Sequence, residues 1–185
     1  MRIFTTCVGM LLAVAAVPAG AQVQCSLEVS ALVGPVIFSD GFESGDLGAW
    51  QGPEVARFSA VATEDLLVRV GLGDGFDGEQ ATVHLRFLLP SGGLFQETSI
   101  PVVVAGSRSG GAAVRRVPGY PFPVREQILT AVETERGLEH RVEVRFPVAG
   151  TQILWNSLYG EWRVEAYVDD AAAPCSEAAT FTITE

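Results

Sequence analysis

The chain has no lysine and a single asparagine, Asn156. Its positive charge is carried by arginine alone, and twelve basic residues face 22 acidic ones for a formal net charge of −10. That balance argues against nucleic acid as a partner held by phosphate neutralisation. It equally argues against adhesion to anionic lipid by charge alone. Histidine occurs only at His84 and His140, each inside a strand-like pattern and neither in a metal-ligand arrangement. There is no G-x-S-x-G elbow and no H-E-x-x-H pair, so the commonest serine-hydrolase and zinc-protease signatures are missing. Carboxylates are scattered over turns, and no pair stands out for glycoside hydrolysis. No apolar run after residue 21 is long enough to span a bilayer. The expectation is a protein that is not an enzyme and needs no cofactor.

What is present begins with an address. Arg2 is followed by the apolar run IFTTCVGMLLAVAAV, then Pro18 and the small residues AGA before Gln22. This is the order of a secretory signal peptide, covering residues 1–21 with cleavage after Ala21. The mature chain would then work in the periplasm or outside the cell. Cys7 leaves with the signal, and Cys25 and Cys175 remain as an even pair in an oxidising compartment. A disulfide between them is the simplest reading, with free thiols or pairing between molecules as the alternatives.

Period-two alternation dominates the rest. Leu66, Val68, Val70 and Leu72 share one face, as do Val83, Leu85, Phe87 and Leu89. The same holds for Val142, Val144, Phe146 and Val148, for Trp162, Val164, Ala166 and Val168, and for Phe181 and Ile183. Such alternation marks strands with one buried face. Glycine and proline punctuate the strands, in GDGFDGE, PSGG, SRSGGAAVRRVPGYPFP and AGT, which predicts two packed antiparallel sheets. Residues 22–54 read as an N-terminal arm adding one or two strands, and residues 55–185 as the main all-β domain. EQILTAVETER suits a short helix as well as a strand.

The segment LYGEWRVEAYVDDAAAPCSEAATFTITE resembles the closing strand pair of extracellular immunoglobulin-like modules, most of all the bacterial and macroglobulin-type sandwiches. The resemblance implies an antiparallel β-sandwich in which Gly160 lets the chain turn into a strand and Trp162 fills the space between sheets. Antibody-type domains bridge central strands of their two sheets, whereas Cys175 falls in the last turn, which departs from that pattern.

Three stretches are candidates for contacts. IFSDGFESGDLGAW offers Asp40, Glu43 and Asp46 as oxygen ligands for calcium, with Glu54 farther on. A DGFESGD–W segment of this kind is similar to ones in bacterial secreted proteins and near the first strand of some carbohydrate-binding modules. The plain alternative buries Ile37, Phe38, Phe42 and Trp50 and leaves the acids in water. GDGFDGE, with Asp74, Asp77 and Glu79, is explained by hairpin chemistry, since Asp-Gly tolerates positive φ. The long connection from Ser107 to Pro123 carries Arg108, Arg115, Arg116, Tyr120 and Phe122, residue types enriched where proteins meet. These features favour a secreted structural or protein-binding module, its partner an extracellular protein or glycan. The alternative is a carbohydrate-binding module with a structural calcium.

Overall fold

The structure, a computed structural model, describes residues 23–32, 55–73, 76, 80–107, 112–118, 120–134 and 137–185. In chain order the strands are β1 (Cys25–Leu32), β2 (Ala56–Ser59), β3 (Asp65–Leu72), β4 (Gln80–Leu88) and β5 (Leu94–Val104). They continue with β6 (Val114–Arg115), β7 (Val124–Arg125), β8 (Gln127–Leu129), β9 (Ala131–Thr134) and β10 (Gly137–Pro147). One helical turn, α1 (Gln152–Trp155), precedes β11 (Gly160–Val168) and β12 (Ala179–Thr184). Among the described residues no helix is long and apolar enough to cross a membrane. The chain is all-β, as its alternation predicts.

One sheet has four strands in the order β1-β3-β10-β9, and the other six in the order β2-β12-β11-β4-β5-β8. Pairing is antiparallel except at two edges, where β2 runs parallel to β12 and β8 parallel to β5. The arm contributes β1, which pairs with β3 along its whole length, from Cys25 opposite Leu72 to Leu32 opposite Asp65. Within EQILTAVETER the described residues form strand rather than helix. Its first part, β8, joins the six-stranded sheet and its second, β9, joins the four-stranded one. Two partner strands outweigh the helical spacing of Ile128, Leu129 and Val132, because each half of the segment finds a ladder to join along one side, β8 on β5 and β9 on β10.

The inward faces of both sheets form one core. Leu66, Val68, Val70 and Leu72 of β3 are fully buried, as are Val83, Leu85 and Phe87 of β4 and Trp162, Val164 and Ala166 of β11. Phe87 of the larger sheet stacks on Phe146 of the smaller one at 4.1 Å between ring centres. Trp162 meets Phe146 at 5.9 Å and Phe95 at 5.1 Å, both edge to face. Its indole N–H donates to the Leu158 carbonyl at 2.9 Å, so the ring is buried without an orphaned donor. Gly160 opens this strand at φ +125, and a Cβ there would stand 3.1 Å from Pro90. The turn into β11 therefore needs glycine both for its dihedral and for its space.

Cys25 and Cys175 form a disulfide with 5.3 Å between Cα atoms. Beside it the Cys25 N–H donates to the Cys175 carbonyl at 3.1 Å, and the Cys175 N–H to Ala166 at 2.8 Å. The bridge thus joins an edge strand of the smaller sheet to the β11–β12 turn of the larger one.

Candidate functional site

Inward residues make the core, so the outward residues of β4, β5 and β11 make the outer face of the six-stranded sheet. Thr82, His84 and Arg86 project from β4, Glu97 and Ser99 from β5, and Glu165 and Tyr167 from β11. Register sets them side by side: His84 lies between Ser99 and Tyr167, and Arg86 between Glu97 and Glu165. Chain order alone does not show this, because β11 lies more than seventy residues from β4 in sequence.

The connection after β5 folds back over this face. It forms a small hairpin of β6 and β7, with Val114 opposite Arg125 and Arg115 opposite Val124. Glu126 holds its base. The buried carboxylate accepts from the Ala113 N–H at 2.8 Å, the Glu126 N–H donates to the Ala113 carbonyl at 2.9 Å, and the Arg115 guanidinium lies 3.8 Å away. Arg115 also donates to the Thr82 hydroxyl at 2.8 Å, and the Tyr120 hydroxyl accepts the Ser99 N–H at 2.9 Å. Two of the five sequence candidates on this loop are therefore its fasteners. Arg116 is exposed and Phe122 is 76 % exposed. Arg108 lies outside the described residues, as do the candidate calcium ligands Asp40, Glu43 and Asp46, the neighbouring Glu54, the turn acids Asp74, Asp77 and Glu79, and residues 1–21, where a signal peptide is expected.

Between this flap and the β11–β12 turn lies a groove of about 520 Å³, lined by Thr82, His84, Arg86, Arg115, Tyr167 and Asp170 among others. Its floor is tied together. The Arg86 Nε donates to Glu97 at 2.8 Å, and its guanidinium sits 4.6 Å over the Tyr167 ring. The Tyr167 hydroxyl donates to Glu165 at 2.8 Å, and His84 Nδ1 lies 2.7 Å from the Ser99 hydroxyl. The hydrogen bond to Glu97 raises the Arg86 pKa. The hydrogen bond to Glu165, then burial and the charge of that carboxylate, raise the Tyr167 phenol above its ordinary value, against the opposing pull of Arg86. Asp169 closes the far end at φ +51, a left-handed conformation uncommon outside glycine. It is held there by Thr82: its carboxylate accepts the Thr82 N–H and its own N–H donates to the Thr82 carbonyl, each at 2.7 Å. Arg115 and Asp169 thus stand on either side of Thr82 with opposite charges facing the groove.

A smaller hollow of about 370 Å³ on the other sheet is lined by Ser26, Glu28, Arg69, Gly71, Glu139 and Arg141 among others. There Arg69 is engaged by Glu143 at 3.1 Å and by Glu28 at 3.6 Å, and the Glu139 carboxylate lies across Gly71 and accepts from Ser26 at 3.3 Å. The flapped groove is the larger of the two and has a pinned hairpin as one wall, which makes it the better candidate. Among the described residues no group of three metal-ligating side chains comes together. No protein-family model matches the chain, and neither a curated protein nor a solved structure matches it.

Proposed function

We propose that this is a non-enzymatic extracellular module that binds another protein through the flapped outer face of its six-stranded sheet. The observation that carries the reading is the groove itself, an open polar channel walled by a hairpin that is pinned to a rigid floor by Arg115 and Tyr120. Rigid floors with loop walls are where recognition surfaces are built. The groove presents His84, Arg86, Arg115, Tyr167 and Asp170, a set rich in the arginine and tyrosine that dominate interface energetics.

The reading also takes the fold as an immunoglobulin-like sandwich. In its support, β1-β3-β10-β9 follows the order of the A, B, E and D strands of that fold, and β12-β11-β4-β5 follows G, F, C and C′. Two features differ from antibody domains: the bridge runs from the first strand to the last turn, and the core tryptophan stands on the F-like strand. Export is supported by the N-terminal signal pattern and by the disulfide.

Affinity capture from the producing cell's envelope and secreted fractions tests the binding role. The wild-type chain, Tyr167→Ala with Asp170→Arg in the groove, and Arg145→Glu on the opposite sheet are compared as folded proteins. A partner recovered by the wild type and by Arg145→Glu, and lost with the groove pair, is the expected result. Equal recovery by all three removes the reading.

A further inference from the structure

We propose that the partner presents an extended acidic segment that adds as a strand to the free edge of β5, beside the flap. This rests on the protein-binding reading above and specifies how contact is made.

The edge follows from the hydrogen-bond pattern. β5 runs from Leu94 to Val104, but β8 pairs with it only at Val102, Val103 and Val104. The Ala105 N–H donates toward β8, to the Leu129 carbonyl at 2.8 Å. Main-chain groups alternate in direction along a strand, so those of Val103, Pro101, Ser99 and Glu97 face the same edge. Pro101 has no N–H to offer, and the Ser99 N–H is taken by the Tyr120 hydroxyl. Beyond Tyr120, from Leu94 to Thr98, no strand among the described residues pairs with this edge, and Leu94, Gln96 and Glu97 are exposed.

The neighbouring edge of the smaller sheet is treated differently. β9 covers β10 only from Gly137 to His140, and past it the side-chain amide of Gln127 meets the Glu143 N–H at 3.4 Å and its carbonyl at 3.3 Å. A side chain stands in for a strand there. Over Leu94–Thr98 the β5 edge has no such cover among the described residues, and with Phe95 bulged between Leu94 and Gln96 the main-chain groups of Glu97 are the ones open to a partner strand.

Charge and apolar exposure specify the occupant. The flap beside β5 carries exposed Arg116 and Arg125, while its acid, Glu126, is buried against Ala113. On the edge itself the Glu97 carboxylate is answered by Arg86. The border is therefore cationic in a chain of net charge −10. Phe122 and Val114 stand exposed on the flap and Ile128 on β8, at 76 %, 63 % and 47 % exposure. An extended segment alternating acidic and apolar residues answers all three demands: main-chain pairing, negative charge and apolar contact.

The probe is a capped seven-residue peptide of alternating glutamate and valine, titrated into the full secreted chain and followed by amide NMR and hydrogen exchange. Saturating peptide is expected to slow exchange of the Glu97 amide. Arg116→Glu with Arg125→Glu is expected to weaken binding by about tenfold or more, with the loss shrinking at high salt. Glu97→Pro removes the edge donor and should abolish binding, whereas Glu97→Ala keeps the donor and should retain it. Should Glu97→Pro fail to fold, the peptide with alternate main-chain nitrogens methylated takes its place, and it should not bind. Unchanged Glu97 exchange, equal binding of the methylated peptide, or equal binding of a lysine–valine counterpart each overturns the proposal. Partner capture lost in the groove variants but unaffected by Glu97→Pro would overturn strand addition while leaving the protein-binding reading in place.

Discussion

Tyr167 lies between a cation and an anion, under the Arg86 guanidinium and hydrogen-bonded to Glu165. The donor bond to Glu165 exists only while the phenol keeps its proton, so the neutral form is favoured in the folded state and its pKa rises. The associated stability is fully present below the unfolded phenol value of about 10 and is lost as pH climbs through the higher folded value. A phenolate absorbance titration of the wild type minus Tyr167→Phe should give a midpoint above that of a free phenol, and Glu165→Gln should lower it. A midpoint at or below the free value in the wild type would show the hydrogen bond is absent in solution. None of this is visible in the string EWRVEAYVDD, which places Glu165 and Tyr167 on one strand face but says nothing of Arg86. The same is true of His84, which alternation marks as outward and which the fold pairs with Ser99.

Strands form here because their inward residues have a second sheet to meet. Phe146 is the joint: it stacks on Phe87, touches Phe95 and Trp162 edge to face, and is itself only 1 % exposed. Phe146→Ala removes a ring from between two sheets that cannot close over the void, and about 3–5 kcal/mol of stability should be lost. Chemical denaturation of the purified chain checks this, and a loss under about 1 kcal/mol would mean that the sheets do not share this contact. Such elements were legible locally, since a two-residue period needs no knowledge of partners. The segment 126–136 was not, because its spacing fits two periods and only the strands flanking it select one. The flap was legible as a long connection with arginine and aromatic residues. That Arg115 and Tyr120 turn inward as fasteners, while Arg116 and Phe122 face out, depends on Thr82 and Ser99 lying beneath them.

Across the molecule, one covalent link joins the two sheets. Cys25 and Cys175 are 150 residues apart, so the bridge removes a large share of the unfolded chain's freedom. In the chain-entropy model a loop of that size contributes on the order of 4–5 kcal/mol, and measured values often fall below it. Replacing both cysteines by serine should lower stability by about 3 kcal/mol and the melting temperature by roughly 10 °C. Differential scanning calorimetry of oxidised, reduced and double-serine protein checks it, and three coincident melts would assign the bridge no stabilising role. The cysteine count and the signal-like pattern of the N-terminal residues made this pairing the simplest reading of the sequence, and the fold places the two residues at bonding distance.

Composition and periodicity were enough to specify the all-β class, the positions of β3, β4, β10, β11 and β12 and the identity of most core side chains, because each of these follows from burying alternate residues along a single strand; β5 and the flap strands were not read from it. The groove, the pinned flap and the open edge of β5 belong to the folded chain alone. Each is made where residues far apart in sequence come within hydrogen-bonding distance, and the pairing of β4 with β11 and of β5 with β8 sets those distances.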